Sequence, residues 1–338
     1  MPERQTKKAT LYDVAESAGV SYQTVSRVIN GSPHVSPQTL ERVQAAIRKL
    51  DYQPNRAART LASRRSNTLE VVFFGITLYG PTRMLTGVER SARELGYQLI
   101  YSNVEDDDPR VVEAAINSLS EHLVDGAIMI TPVQDPIFDD LIKVCRDVPF
   151  VQLDAPPDAK TPSVVIDQAY GSRLVTQHLI DCEHRHIAEI SGPMYWHDAI
   201  ARHKSWLATL ERNGLAAGES IEGDWTAESG YQAARMLLKR NSTFTAIVAG
   251  NDQMALGAMR ALREQGLNIP GDVSIVGFDD IPEAAYFEPP LTTVRQDFAA
   301  LGKQSVEYLV EMIREREVAI HQRVLYPTLI ERSSTRAI

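Results

Sequence analysis

Cysteine is scarce in this 338-residue sequence: only Cys145 and Cys182 are present. Two cysteines cannot build a disulfide framework, and the scarcity fits a reducing compartment. No stretch approaches the roughly 18 consecutive apolar residues of a spanning helix. The opening Met1-Pro2-Glu3-Arg4-Gln5-Thr6-Lys7-Lys8 lacks the apolar run of a secretory signal. The expectation is a cytoplasmic protein with no membrane partner. Phosphate-cradling loops are missing as well, with neither G-x-G-x-x-G after the first strand-like run nor G-x-x-x-x-G-K-[ST]. Cys182-Glu183-His184-Arg185-His186 has metal-binding residue types without the ligand spacing of a zinc site. No cofactor, metal or enzymatic activity is expected. The sequence is 43% hydrophobic and 23% charged, an ordinary globular balance that excludes disorder and fibrous repeats. Its length predicts two or three domains.

The net charge of −9 argues against a nucleic-acid partner until it is divided along the chain. Residues 1–66 hold eleven Lys and Arg against five Asp and Glu, a surplus of +6, which leaves −15 on the other 272 residues. A basic head on an acidic body points to two different partners.

Within the head, Thr10 and Asp13 have capping-box spacing and open a helix. Leu11, Val14, Ala15 and Ala18 form its apolar stripe, and Gly19 stops it. Ser21 can cap a second helix with Val25, Val28 and Ile29 inward, ended by Asn30-Gly31. Ser36-Pro37 starts a third, striped by Leu40, Val43, Ile47 and Leu50. Two short helices around a glycine turn, braced by a third, suit a helix-turn-helix that sets its second helix in the major groove. Tyr22 and Gln23 fall in the first turn of that helix, with Arg27 one turn beyond Gln23. Gln and Arg can each contact base edges bidentately, at adenine and guanine. A three-helix protein-interaction module with a solvated polar face is the alternative reading of the same pattern.

From Leu69 onward, apolar runs alternate with amphipathic stretches. Leu69–Phe74, Gln98–Tyr101, Ala127–Ile130, Phe150–Leu153, Ile187–Ile190, Ala246–Ala249 and Ser274–Phe278 read as strands. Pro81–Leu95, Pro109–Glu121, Pro136–Cys145, Ser172–Ile180, Ala199–Arg212, Ser229–Lys239 and Gln253–Gln265 read as helices. This rhythm means βαβ units and parallel sheets, and about 270 residues suit two α/β lobes better than one open sheet. Ligands of such sheets bind beyond the carboxyl ends of the strands. Asp154, Asp167, Asn251, Asp252, Asp279 and Asp280 are therefore candidates, although a helix cap or loop position is the commoner role for any one of them. Glu189 is a carboxylate inside a strand-like run, expected at a sheet edge, with a pocket or a dimer contact as alternatives.

Leu11-Tyr12-Asp13-Val14-Ala15-Glu16-Ser17-Ala18-Gly19-Val20-Ser21-Tyr22-Gln23-Thr24-Val25-Ser26-Arg27-Val28, continued by Tyr52-Gln53-Pro54-Asn55-Arg56, resembles the headpiece of the LacI-type repressors. The resemblance extends over essentially the whole chain. It implies an all-α helix-turn-helix headpiece at 1–54, a hinge helix or linker at 55–66, and a two-lobed α/β core like that of periplasmic binding proteins. The N-terminal lobe would comprise 67–166 with 298–325, and the C-terminal lobe 167–297 with 326–338. By the same comparison Tyr22, Gln23 and Arg27 read the half-site of a pseudo-palindromic double-stranded DNA operator. Thr10, Tyr12, Ser21, Ser26, Asn30, His34, Ser36 and Tyr52 add headpiece contacts. In the hinge, Asn55, Arg56 and Ala58 lie against DNA while Leu61 wedges into the minor groove. A plain basic linker is the alternative for that segment.

The resemblance also assigns a small-molecule effector between the lobes, a sugar, with galactosides among the candidates. Arg202, Asn251, Asp279, Asp154 and Trp225 match effector-binding positions, with Gln296 and Phe298 at the crossover between lobes. Asp supplies acceptors for hydroxyls, Asn and Arg supply donors, and an indole covers the apolar face of a sugar ring. Phe74 and Ile130 stand where the family member with the most similar headpiece has a serine and an asparagine. Asp198 replaces a small serine-like residue there. These departures predict a more apolar N-terminal wall, with Phe74 and Tyr79 filling volume or stacking on a second ring, and a more acidic facing wall. The sequence has no C-terminal heptad run of the kind that forms tetramers, so a homodimer is expected. A sugar-binding transport protein and a sugar-acting enzyme share the α/β architecture and stand as alternatives.

Overall fold

The structure, a computed structural model, describes residues 9–29, 34–52, 65–74, 77–104, 119, 124–130, 132, 148–156, 159–240, 243–315, 319 and 321–338. The side chains of Phe74 and Val104 lie outside that set. The chain forms two compact units, Met1–Ser66 and Asn67–Ile338.

The first unit contains α1 (Leu11–Ala18), α2 (Tyr22–Ile29) and α3 (Pro37–Lys49). The capping box forms as expected: Asp13 N–H donates to Thr10 Oγ1, and Thr10 N–H donates back to Asp13 Oδ2 at 2.7 Å. Gly19 ends α1 in the left-handed region (φ 61°), where a Cβ would be strained. Arg42 of α3 donates to the Ala18 carbonyl at 2.6 Å and the Gly19 carbonyl at 2.9 Å, satisfying groups that a helix end leaves unpaired. Val14, Ala15, Ala18, Val25, Val43, Ala46 and Tyr52 make the small core. Leu40, expected on the inner stripe, is exposed.

The second unit has two sheets. In the first, parallel strands run in the order β11 (Gln322–Leu325), β5 (Ser163–Ile166), β4 (Phe150–Leu153), β3 (Gly126–Ile130), β1 (Thr68–Phe74), β2 (Gln98–Val104). The second has β7 (Ser220–Glu222), β6 (Ile187–Ser191), β8 (Ala246–Ala249) and β9 (Ser274–Val276), also parallel. β10 (Thr293–Arg295) pairs antiparallel with β12 (Thr328–Ile330). Every residue of β3, β4, β5, β6 and β8 is buried. Strands covered on both faces read as continuous apolar runs, which is why most were visible in the sequence.

Helices α4 (Tyr79–Glu94) and α9 (Phe298–Arg314) pack together beside the first sheet. The second sheet is sandwiched by α5 (Gln168–Asp181) and α6 (His197–Arg212) on one side, and α7 (Ala227–Lys239) and α8 (Asp252–Glu264) on the other. The chain passes between lobes three times: from β5 to α5, from β10 to α9, and from β11 to β12. The expected helices Pro109–Glu121 and Pro136–Cys145 fall almost entirely outside the described residues. No described helix is long and apolar enough to cross a membrane.

Glu189 corrects the sequence expectation. It lies on β6, inside the sheet rather than at its edge, and is 3% exposed. Its Oε2 accepts from His203 Nδ1 at 2.5 Å and from Ser220 Oγ at 2.6 Å. That hydrogen bond, reinforced by the carboxylate's charge, raises the His203 pKa. The carboxyl group is accommodated in the sheet because α6 delivers a hydrogen-bond partner to it.

Candidate functional site

Two groups of side chains stand apart, one in each unit. In the headpiece, α2 turns Val25 into the core and leaves Tyr22, Gln23 and Arg27 exposed, with Ser26 half-buried. Tyr12 stacks on Tyr22 with ring centroids 4.9 Å apart, which orients a ring that would otherwise swing freely in water. His34 is exposed as well. Thr10, Ser21 and Ser36 cap the three helices, with Ser21 Oγ accepting from Thr24 N–H at 3.2 Å and Ser36 Oγ from Thr39 N–H at 3.3 Å. Their hydroxyls are thus already engaged, although all three residues remain exposed. Tyr52 departs from expectation. Its ring is 8% exposed in the headpiece core, so it braces the helices instead of lying on the outer face. Asn30, Asn55, Arg56, Ala58 and Leu61 lie outside the described residues.

The second group lines a cleft of about 200 Å³ between the two lobes. Leu78, Tyr79, Pro81, Met84 and Phe298 form the wall on the N-terminal lobe, which is largely apolar. Tyr79 meets Phe298 edge to face at 6.1 Å, and Asp297 places Phe298 by capping α9 through Ala300 N–H at 2.8 Å. Asp154 is the polar exception on that wall. The facing lobe contributes Trp196, Asp198, Arg202, Trp225, Asn251, Gln253 and Asp279, and Gln296 comes from the crossover. The cleft therefore gathers Tyr79, Asp154, Asp198, Arg202, Trp225, Asn251, Asp279, Gln296 and Phe298 of the expected set. Ile130 is not among the lining residues. It is fully buried in the first lobe's core, where an aliphatic side chain at the end of β3 is best accommodated.

Arg202 organises the polar wall. Its Nη1 donates to the Gly250 carbonyl at 2.6 Å and its Nε to Gln168 Oε1 at 3.0 Å. Nη2 lies 3.4 Å from Asp198 and 3.9 Å from Asp279. The guanidinium sits 3.8 Å from the Phe278 ring centroid and 5.4 Å from that of Trp225, a stacked position suited to a planar cation. Gln168 Nε2 donates to Gln296 Oε1 at 2.9 Å, and Gln296 Nε2 to Asp279 Oδ1 at 2.7 Å. The network closes around a carboxylate that burial pushes up to about 6, against the opposing pull of Arg202.

Backbone conformation supports the same site. Asp154 (φ 57°), Trp225 (φ 74°) and Asp279 (φ 111°) all occupy the left-handed side of conformational space. Such strain costs of order 1–3 kcal/mol per residue and collects where function needs a side chain aimed against preference. Gly192 lets the Trp225 indole lie close, because a Cβ there would stand 2.1 Å from the ring. Asn251 caps α8 through Met254 N–H at 2.8 Å and donates its amide to the Trp225 carbonyl at 2.9 Å.

The remaining acidic candidates serve the scaffold. Asp167 caps α5 through Tyr170 N–H. Asp252 accepts from Thr293 Oγ1 at 2.6 Å and Ile281 N–H at 2.8 Å. Asp280 pairs with Arg295 and Arg332, each at 2.6 Å. His184 hydrogen-bonds the hydroxyls of Thr245 and Ser274 and the Arg336 carbonyl, which ties the C-terminal segment to the second lobe. Sequence reasoning missed Trp196, Gln253 and Gln168. Trp196 directly precedes the run that contains Asp198 and Arg202, and that position was the available signal.

Comparison with known proteins finds matches to both units of the chain. Residues 10–55 match the family described as "Bacterial regulatory proteins, lacI family", and residues 176–335 match the "Periplasmic binding protein-like domain". The lactose operon repressor of Escherichia coli is 38% identical over 98% of this chain and 92% of its own length. The ribose operon repressor of Escherichia coli is 34% identical over 96% of this chain and 99% of its own. A crystal structure of the lac repressor dimer bound to operator and the anti-inducer ONPF superposes with a TM-score of 0.91 at 37% identity. It covers 98% of this chain and 100% of that one. With a basic three-helix headpiece, a two-lobed core and this identity along nearly its whole length, the chain belongs to the LacI family of bacterial regulatory proteins.

Proposed function

We propose that this family member is a cytoplasmic homodimeric repressor that binds a pseudo-palindromic, lac-like operator in double-stranded DNA. A sugar effector, with galactosides among the candidates, binds between the lobes and releases it. The observation that carries the reading is the convergence of Arg202, Asp279, Asn251 and Asp154 with two indoles on one cleft between lobes that three chain segments connect. Sheet membership supports lobes of 67–166 with 298–325 and 167–297 with 326–338, after a headpiece at 1–54 and a hinge at 55–66. A ligand that grips both walls changes the angle between lobes, and with it the separation of two hinges in a dimer.

The chemistry of each surface fits its assigned partner. Exposed Gln23 can pair bidentately with an adenine edge through one donor and one acceptor, Arg27 with a guanine edge through two donors, and Tyr22 is held for contact by Tyr12. In the cleft, carboxylates accept from hydroxyls while indole faces cover the apolar side of a ring. A volume of about 200 Å³ is smaller than the roughly 300–1,000 Å³ of sites for drug-sized ligands, which suits a compact molecule. The function is one of binding, without turnover.

Fluorescence anisotropy with a labelled palindromic operator tests the proposal directly. Tight, salt-sensitive binding that falls on titration with a sugar is expected. Operator binding that no member of a panel of galactosides, glucosides and pentoses alters, in either direction, would overturn the effector reading. Sugar consumption in a product assay would instead favour the enzyme.

A further inference from the structure

Among the described residues the cleft gathers more carboxyl groups than cations. Asp154, Asp198 and Asp279 all line it, with one guanidinium, Arg202, among them. The closest hydrogen bonds of that guanidinium go to neutral acceptors, the Gly250 carbonyl and the Gln168 amide. Its carboxylate contacts are longer, 3.4 Å to Asp198 and 3.9 Å to Asp279. Asp279 has Gln296 as a second partner at 2.7 Å. Among the described residues, the Asp198 carboxylate has the long Arg202 contact as its side-chain partner. Asp154 is 4% exposed, and its carboxylate accepts no hydrogen bond among the described residues.

Asp154 and Asp198 also border a second recess of about 130 Å³, lined further by Asp167, Gln168, His197 and Gln322. The two carboxylates thus stand where main cleft and recess meet. Burial raises the pKa of Asp154, Asp198 and Asp279, and Asp198 and Asp279 push Asp154 up further. Desolvation is the leading cause in all three, and the attraction of Arg202 only partly offsets it.

Neutral hydroxyls can fill the lone pairs of these carboxylates but leave their charge in a poorly solvated site. A protonated amine supplies three donors and the missing charge together. No group of three or more His, Cys, Asp or Glu among the described residues is arranged to hold a metal ion. Resting on the sugar-effector reading above, we propose that the effector is a polyol bearing a protonated primary amine, an amino sugar by chemical class. Its ammonium sits between Asp154 and Asp198, and its hydroxyls engage Asp279 and Asn251.

Calorimetric titration of the full chain at pH 7.5 with matched sugars tests this. The probes are galactose, galactosamine and N-acetylgalactosamine, and the same three in the gluco series. In the responding series the amine binds at least tenfold more tightly than its parent, and N-acetylation, which removes the charge, abolishes the gain. Asp198→Asn, or Asp154→Asn should the first variant fold poorly by circular dichroism, cuts the amine-to-parent affinity ratio at least fivefold. Equal or tighter binding of the neutral parent overturns the amine assignment while leaving the sugar-effector reading standing. An amine preference that survives both substitutions overturns the placement. Absence of binding by all six sugars overturns the amine assignment and counts against the broader sugar reading.

Discussion

In the headpiece the proposed contact residues are out in solvent: Tyr12 and Tyr22 are 71% and 45% exposed, and Gln23 and Arg27 project from the same short helix. In the cleft the corresponding side chains are hidden, with Arg202 and Asp279 at 7% exposure and Asp154 at 4%. The headpiece displays its chemistry at little cost to its fold, because its core of Val14, Val25 and Val43 is separate from its reading face. The cleft builds its chemistry into the interior, with buried charge and left-handed backbone at Asp154, Trp225 and Asp279. A surface that must meet a rigid polyanion needs only complementary shape and charge. A site that must capture a small ligand and convert the capture into movement stores part of the required energy beforehand.

Substitutions should divide along the same line. The largest effect belongs to Arg202→Ala, which strips the cation from Asp198 and Asp279. Breaking a buried pair costs about 3–5 kcal/mol, so thermal denaturation should show a loss of that order together with loss of effector binding. Equal melting temperatures would mean that the network is not structural. Arg27→Ala should lower operator affinity about 5- to 150-fold, from about 1–3 kcal/mol per bidentate base contact. Its thermal stability and effector affinity should be unchanged. A destabilised Arg27→Ala headpiece would blur the comparison.

Asp154→Asn should move stability the other way. The folded-state pKa of Asp154 lies above its unfolded value, so its penalty appears as pH rises through the usual carboxylate range and is complete above the folded pKa. Removing the charge should therefore stabilise the unliganded protein at pH 8 by about 0.5–2 kcal/mol, as functional-site substitutions often do. The gain should vanish near pH 4 and below, where the native carboxyl is protonated, and effector affinity should fall. A variant less stable than the parent at pH 8 would show that the cleft carries no such cost. The smallest effect is expected for Thr10→Ala, about 1 kcal/mol from loss of the α1 cap, seen in headpiece unfolding with the core transition unmoved.

The same contrast explains how much the sequence disclosed. Caps and stops in the headpiece were legible because they are local: Thr10 with Asp13, Gly19, and Ser36 with Pro37 act within a few residues of themselves. Most of the buried parallel strands were legible as apolar runs, but β5, the four buried residues Ser163–Ile166, was not. β11 was not, because Gln322–Leu325 is a half-exposed edge strand with polar residues. β7 and β12 are only three residues long, too short for a pattern. In the cleft, resemblance located Arg202 and Asp279, but the bridge through Gln168 and Gln296 joins residues 128 positions apart. Nothing local announces such a contact. Glu189 was misplaced for the same reason, since its partners His203 and Ser220 lie on other elements. Ile130 matched by position and then turned out to face the core.

The most direct test of coupled recognition is the affinity of the responding effector measured twice by titration, on the free protein and on protein saturated with operator. Linkage requires each ligand to change the other's affinity by one shared factor, typically about 5- to 150-fold. The account predicts that operator weakens effector binding by the same factor by which effector weakens operator binding. Identical effector affinity with and without operator would contradict it, and tighter binding on the operator complex would make the ligand a corepressor.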